Sequence, residues 1–210
     1  MIEIMKNLLL TLSFMVTQLF ILNAQEKVDY YTGKTEVQGK KYTYSIEIAD
    51  ISKTIWLHNK SSLKRDWTIV DDRGRLVGGL LVFNNVMKIE NPEVIKEVVK
   101  EVFTQEELKK ILSEFDSYKT VLPGQPAHFT FELTANKHTK KIEEVVTIYV
   151  ENTPTMRAVA PQRIEQLEDL LKSKVRYKVN EKREKLIGQN YDVFPVCEEH
   201  VHLIDLIDGQ

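Results

Sequence analysis

The sequence has little of the material that narrows a protein's class quickly. Its 210 residues contain one cysteine, Cys197, so no disulfide can form within the chain and a disulfide-stapled scaffold is excluded. Eight glycines and six prolines are too few for a collagen-like or low-complexity chain. Charge of neither sign prevails, because 29 Lys and Arg face 31 Asp and Glu for a net −2. That balance gives neither a nucleic-acid footprint nor an acidic tail. No serine sits in a G-x-S-x-G elbow, and no βαβ unit with a Gly-rich turn recurs. What is there is ordinary for a globular protein: 42% hydrophobic and 29% charged residues, too apolar for disorder.

Long apolar runs are also scarce, and the first one carries an address. Leu8 to Leu22 is interrupted only by Thr11, Ser13, Thr17 and Gln18; Lys6 precedes it, and Ala24 followed by Gln25 supplies a small residue before a polar start. A basic n-region, a short apolar h-region and a small residue at the cut mark a secretory signal peptide. The run falls short of the roughly 20 residues of a comfortable membrane span; a membrane-anchoring helix is the alternative. Glu3 suits an n-region poorly, and Met5-Lys6-Asn7 is a cleaner start. Cleavage after Ala24 is therefore expected, with delivery to the periplasm or cell surface of a Gram-negative bacterium. No later stretch approaches a span, so no membrane span is expected in the mature chain. Cys197, alone in an oxidising compartment, is most simply buried.

Residues 25–39 are polar, with Gly33 and Gly39, and are expected as a flexible lead-in. Tyr42, Tyr44, Ile46 and Ile48 then alternate with Thr43, Ser45 and Glu47, the period of a half-buried strand. Thr54 to His58 reads as a second strand. Trp67–Val70 and Arg75–Phe83 flank Asp71-Asp72-Arg73-Gly74, a hairpin signal. Leu76–Phe83 is apolar on both faces and is expected as a central strand, with Gly78-Gly79 marking a bulge or a close approach.

Two helices follow. Asn91-Pro92-Glu93 is a helix start, and Val94, Ile95, Val98, Val99, Val102 and Phe103 form the apolar stripe. Thr104-Gln105-Glu106-Glu107 is a capping box ahead of Leu108, Ile111, Leu112 and Phe115. After Pro123-Gly124-Gln125-Pro126, Phe129, Phe131 and Leu133 alternate with His128, Thr130 and Glu132; Ile142 to Val150 forms the next strand. Pro161 opens a helix with Ile164, Leu167, Leu170 and Leu171 inward and Glu168/Lys172 paired outward. Val175, Tyr177 and Val179 alternate again. Tyr191–Val196 and Val201–Ile207 are expected as short closing strands.

This order predicts an α+β fold with a largely antiparallel sheet packed by three main helices. An N-terminal region, 40–122, and a C-terminal region, 123–210, divide the chain and are compatible with one compact domain. The segment from Pro126 to Val179 resembles the C-terminal domain of TonB, a Gram-negative energy-transducing protein. The likeness rests on Phe129-Thr130-Phe131-Glu132-Leu133, Val145 to Val150, the helix Ile164 to Leu171 and Val175-Arg176-Tyr177, a strand-strand-helix-strand order. It covers about a quarter of the chain. The turn Asn136-Lys137-His138-Thr139-Lys140 lacks that domain's glycine, and Tyr177 is followed by Lys178 rather than proline. The whole chain is similar to small exported bacterial proteins known only as domains of unknown function. These resemblances imply an envelope location and an unknown peptide or envelope-protein partner, and no catalytic residues.

Each candidate site has a plainer explanation. Cys197, His200 and His202 are the densest group of potential metal ligands, since two imidazoles at i and i+2 of a strand point the same way. A zinc site needs further ligands, and bringing His58 or His128 to His200 requires a strand pairing that the sequence does not give. No metal and no cofactor is therefore expected. Cys197 with a histidine matches no cysteine-hydrolase signature. The adjacent carboxylates Asp71-Asp72, Glu106-Glu107, Glu143-Glu144 and Glu198-Glu199 do not face each other across a cleft as glycoside hydrolysis needs. His138 to Lys141 and Asn180 to Lys185 read as solvated turns, and nucleic acid is not an expected partner. Tyr42, Tyr44, Trp56 and Trp67 are expected in the core rather than as an exposed strip. The function expected is thus non-enzymatic binding of a peptide or protein partner; the alternative is an exported hydrolase or metal-dependent enzyme built on Cys197, His200 and His202.

Overall fold

Alternating apolar residues pair into ladders only if their turns let them. In the computed structural model, which describes residues 28–49, 51–62, 69–70, 76–78, 86–116, 126–182 and 193–208, they do. In chain order the strands are β1 (Glu36–Gln38), β2 (Thr43–Ala49), β3 (Thr54–Asn59), β4 (Ile69–Val70), β5 (Leu76–Gly78), β6 (Met87–Ile89), β7 (His128–Asn136), β8 (Ile142–Glu151), β9 (Tyr177–Val179) and β10 (Val193–His202). The helices are α1 (Glu93–Val102), α2 (Gln105–Asp116), the short α3 (Pro154–Arg157) and α4 (Pro161–Lys174). Six strands form one sheet in the order β1-β2-β3-β8-β7-β10, every neighbour antiparallel. The fold is α+β, with an antiparallel sheet and three main helices. The sheet draws strands from both sides of residue 122.

One face of the sheet makes the core. Ile55, Leu57, Phe129, Phe131, Leu133, Ile148 and Val150 join the buried stripes of α1, α2 and α4 in a single apolar cluster. Burying each large side chain stabilises the fold by about 1.5–3 kcal/mol. The stripe on α1 is as expected: Ile95, Val98, Val99 and Val102 are buried, and Asn91 Oδ1 accepts the Glu93 N–H at 3.2 Å. The capping box forms as its residues dictate, with the Thr104 N–H donating to Glu107 Oε2 at 2.9 Å and the Glu107 N–H to Thr104 Oγ1 at 3.2 Å. The glycine-free turn between β7 and β8 closes because Asn136 Oδ1 accepts from the N–H groups of His138 and Thr139. Lys140 takes a positive φ of 59° there, a conformation that normally favours glycine.

Several expectations are corrected. The lead-in is folded from Val28 onward: Tyr31 is fully buried and its hydroxyl donates to Val159 O at 2.8 Å, and β1 extends the sheet. Leu76–Gly78 is not central, for its described residues pair with β4 in a separate two-stranded ladder. An apolar run specifies burial but not a place in a sheet. Residues 79–83, Trp67 and the signal segment lie outside the described residues. The two closing strands are one, β10, followed by a 3₁₀ turn, Leu203–Leu206. Strand β9 completes the strand-strand-helix-strand order, but it pairs with β6 from the N-terminal region and meets the β7–β8 turn through a Lys141–Arg176 bridge and the Tyr177 N–H to Lys140 O bond.

The largest correction concerns Glu168 and Lys172. They do pair, at 2.6 Å, but Glu168 is fully buried. Its oxygens also accept from the Tyr44 hydroxyl at 2.8 Å and from Asn59 Nδ2 at 2.8 and 2.9 Å. The helix buries a wider arc than its leucines mark because β2 and β3 offer polar partners beneath it. One turn earlier, Glu165 Oε2 accepts from the N–H groups of Lys41 and Tyr42, and a Cβ on Gly39 would collide with that carboxylate.

Candidate functional site

Alternate side chains leave a strand on opposite faces, so the register specifies which residues share the face opposite the apolar stripe of Ile55, Leu57, Phe129 and Phe131. One row crosses five strands: Glu47 opposite Trp56, Trp56 opposite Tyr149, Tyr149 opposite Thr130 and Thr130 opposite His200. The next row sets Thr54 opposite Glu151 and His128 opposite His202. The Trp56 and Tyr149 rings meet edge to face with centroids 5.1 Å apart, a geometry worth about 0.5–1.5 kcal/mol beyond the area it covers. Both rings are anchored: Trp56 Nε1 donates to Thr54 Oγ1 at 2.9 Å, and the Tyr149 hydroxyl donates to Glu132 Oε1.

A cavity of about 190 Å³ lies among these rows. Its apolar lining is Trp56, Tyr149, Pro126 and Phe115, the last from the C-terminal turn of α2. Its polar lining includes Glu151, His128, Thr130 and His200. Glu151 is only 2% exposed. Its Oε1 accepts the His128 backbone N–H at 2.8 Å, while Oε2, also buried, has no hydrogen-bond partner among the described residues. Burial pushes the Glu151 carboxyl up to about 7, against the lowering effect of the His128 N–H.

The histidines are oriented. His128 Nδ1 lies 2.9 Å from Pro126 O and 3.6 Å from Glu151 Oε1; a carbonyl only accepts, so Nδ1 holds a hydrogen. The His128 and His200 centroids are 5.6 Å apart, and His200 Nδ1 is 2.8 Å from Thr130 Oγ1. The β7–β10 register is the pairing that the sequence alone could not supply, and it brings His128, not His58, to His200. His202 is exposed, opposite His128. His58 lies elsewhere on the face, 3.0 Å from Thr147 Oγ1. The side chains of Cys197 and Glu198, and Asp71-Asp72, lie outside the described residues. Among those described, no three His, Cys, Asp or Glu side chains are placed to hold a metal ion.

The hydroxyl, imidazole and carboxyl groups look superficially like a nucleophile with its base. Thr130 sits in mid-strand, however, between two ladders that engage its neighbours' N–H groups. A tetrahedral intermediate needs free donors aimed at its oxyanion, and this stretch of sheet does not offer them. The arrangement is suited to holding a ligand: apolar walls and a buried carboxyl oxygen with no partner among the described residues.

Outside the cavity, the aromatic residues divide. Tyr44 is in the core as expected, whereas Trp56 is half-buried on the outer face. Glu199 aligns with Phe131 because a bulge between Val196 and Glu199 shifts the register, turning its carboxyl toward the inner face, where burial pushes it up to about 7. A second, shallower concavity is lined by Lys137, Lys140 and Lys178 together with Glu90 and Glu181; its mixed signs do not select an anion.

The sequence signals that missed this site were present but weak. Glu151 and Tyr149 occupy outward positions of β8, the same parity as Thr147, and nothing local distinguishes a partnered outward residue from an enclosed one.

No protein-family model matches the chain, and no curated protein matches it. Among solved structures it is similar to a DUF5043 family protein from Bacteroides uniformis, with a TM-score of 0.55 over 83% of this chain and 88% of that one, at 17% identity. At that identity the likeness is one of fold, shared with a member of an uncharacterised family.

Proposed function

We propose that this chain is an exported, non-enzymatic binding protein of the bacterial envelope, and that it holds a peptide or protein partner on the outer face of its sheet. The observation that carries this is the cavity beside Glu151: a buried carboxyl oxygen with no hydrogen-bond partner among the described residues, next to an anchored aromatic pair. Buried polar atoms are rarely left so, and a ligand donor is the simplest completion. Export is supported by the Lys6, Leu8–Leu22 and Ala24 pattern, and a partner by the TonB-like order of β7, β8, α4 and β9. Strand β10 is a poorer docking edge, because Pro195 lacks an N–H and the bulge before Glu199 interrupts its ladder.

The test is site-specific photo-crosslinking in the native host. A crosslinking side chain at position 56 is expected to give a discrete adduct, and one at Lys109 on exposed α2 surface none. Equal adducts at both positions, or none at 56, would reject the proposal. N-terminal sequencing of the same protein is expected to begin at Gln25; retention of the intact N-terminus in a membrane fraction would reject export.

A further inference from the structure

We propose that the outer-face cavity is a site for an alkylammonium group, the side chain of a lysine on the partner, held by the Glu151 carboxylate with its stem between Trp56, Tyr149 and Phe115. This rests on the reading of the outer face as the partner site and gives that site its chemistry.

The polar lining sets the sign of the ligand. Glu151 Oε2 offers only lone pairs once ionised and has no partner among the described residues, while Oε1 is met by the His128 backbone N–H at 2.8 Å and faces His128 Nδ1 at 3.6 Å. A group that enters must donate. An anion would meet the carboxylate at close range in a poorly solvated site, where like charges repel strongly. An ammonium carries three donors and no acceptor.

The apolar lining sets the size. A volume of about 190 Å³ is below the roughly 300 Å³ at which drug-sized pockets begin, and suits one unbranched side chain. Trp56, Tyr149, Phe115 and Pro126 would cover a methylene stem, and aromatic rings favour a cation near them. The pair's anchors, Thr54 Oγ1 and Glu132 Oε1, hold the rings in place before the ligand arrives, which reduces the ordering cost of binding. Burial that holds Glu151 near 7 is an unfavourable interaction of its charged form, and a bound ammonium would offset it.

The protein from which the leader has been removed should be titrated calorimetrically with Nα-acetyl-lysine methylamide, n-butylammonium, and their neutral counterparts Nα-acetyl-norleucine methylamide and n-butanol. Both amines are expected to saturate one site, and both neutral compounds to bind at least tenfold more weakly. Glu151→Gln should weaken the amines at least tenfold. Trp56→Ala, at a half-buried position, should weaken them severalfold and, with its fold checked by circular dichroism, guards against misfolding of the first variant. Equal binding of amines and neutral compounds, or amine binding unchanged in both variants, would overturn the proposal. Binding of butylammonium without the lysine derivative would overturn the assignment to a partner's side chain. An adduct at position 56 without amine binding would sink this inference alone, whereas amine binding without an adduct would sink the partner reading and with it the assignment to a partner's lysine, leaving only an ammonium-selective cavity.

Discussion

Two buried glutamates on opposite faces of the same sheet differ in how their charge is answered. Glu168, between α4 and the β2–β3 hairpin, receives the Tyr44 hydroxyl, the Asn59 amide and Lys172 Nζ. Glu151, on the outer face, receives one backbone N–H, has the His128 ring 3.6 Å away, and leaves one oxygen without a partner among the described residues. Desolvating a carboxylate is costly unless hydrogen bonds and a counter-charge replace its water. The first region has that replacement supplied by three side chains from separate elements, so its acid is architectural. The second has it only in part, from one N–H and the His128 ring 3.6 Å away, and a fold that tolerates such a deficit commonly does so where function requires it.

The comparison breaks most readily at Glu168. Glu168→Ala should destabilise the protein by about 3 kcal/mol, since it strands the Tyr44 hydroxyl and the Asn59 amide and leaves Lys172 without its counter-ion. Lys172→Met should cost less, because the lysine side chain is a quarter exposed and the Tyr44 hydroxyl and Asn59 amide still bond Glu168 in its absence. Urea unfolding of both variants measures this. A loss below about 1 kcal/mol in Glu168→Ala would remove the architectural role and with it the contrast.

How far either glutamate was legible in the sequence follows from the same physics. Periodicity exposed the elements that bury apolar stripes: Ile95 to Val102, Leu108 to Phe115, and the alternation through Phe129 to Leu133. It could not place Glu168, because helical spacing to Lys172 marks an ion pair equally well on a wet or a dry face. It could not place Glu151 either, since being opposite Thr54, with its acid bonded to the His128 N–H, depends on pairings made across tens of residues. The bulge that turns Glu199 inward and the β6–β9 pairing that keeps β9 out of the main sheet are likewise long-range choices. Local signals that need no register, such as the Thr104 capping box, were readable outright.

Acidity sharpens the contrast at the next smaller scale. Glu151 holds its proton up to about 7 in the folded state, against an ordinary value near 4.5. The folded state therefore binds more protons between those values, so the stability linked to this group is present below about 4.5 and is lost as pH rises through 7. Glu151→Gln removes that loss. Relative to wild type it should gain on the order of 2 kcal/mol in unfolding free energy between pH 5 and pH 8, from a shift of roughly two units at about 1.4 kcal/mol each. Glu199, also near 7 through burial, leaves a residual slope common to both proteins. Parallel curves for variant and wild type would mean that Glu151 is as well answered as Glu168.

A third glutamate provides the control of opposite sign. The Arg163 guanidinium, bonded to both Glu107 oxygens, holds that carboxyl down at about 2, with the Thr104 N–H and hydroxyl assisting. Here the folded state releases its proton more readily than the unfolded one. The linked stability is present above about 4.5 and is lost as pH falls toward 2, so Glu107→Gln should flatten the acid limb and leave the limb near 7 untouched. Thr104→Ala acts on the same cap without removing the charge, and should cost about 1 kcal/mol at neutral pH. Thr139→Ala, whose hydroxyl accepts only a 3.4 Å contact from Lys141 in an exposed turn, should cost far less. Equal losses in the two threonine variants would mean that the cap contributes no more than a surface turn, and that Glu107 owes its low value to Arg163 alone.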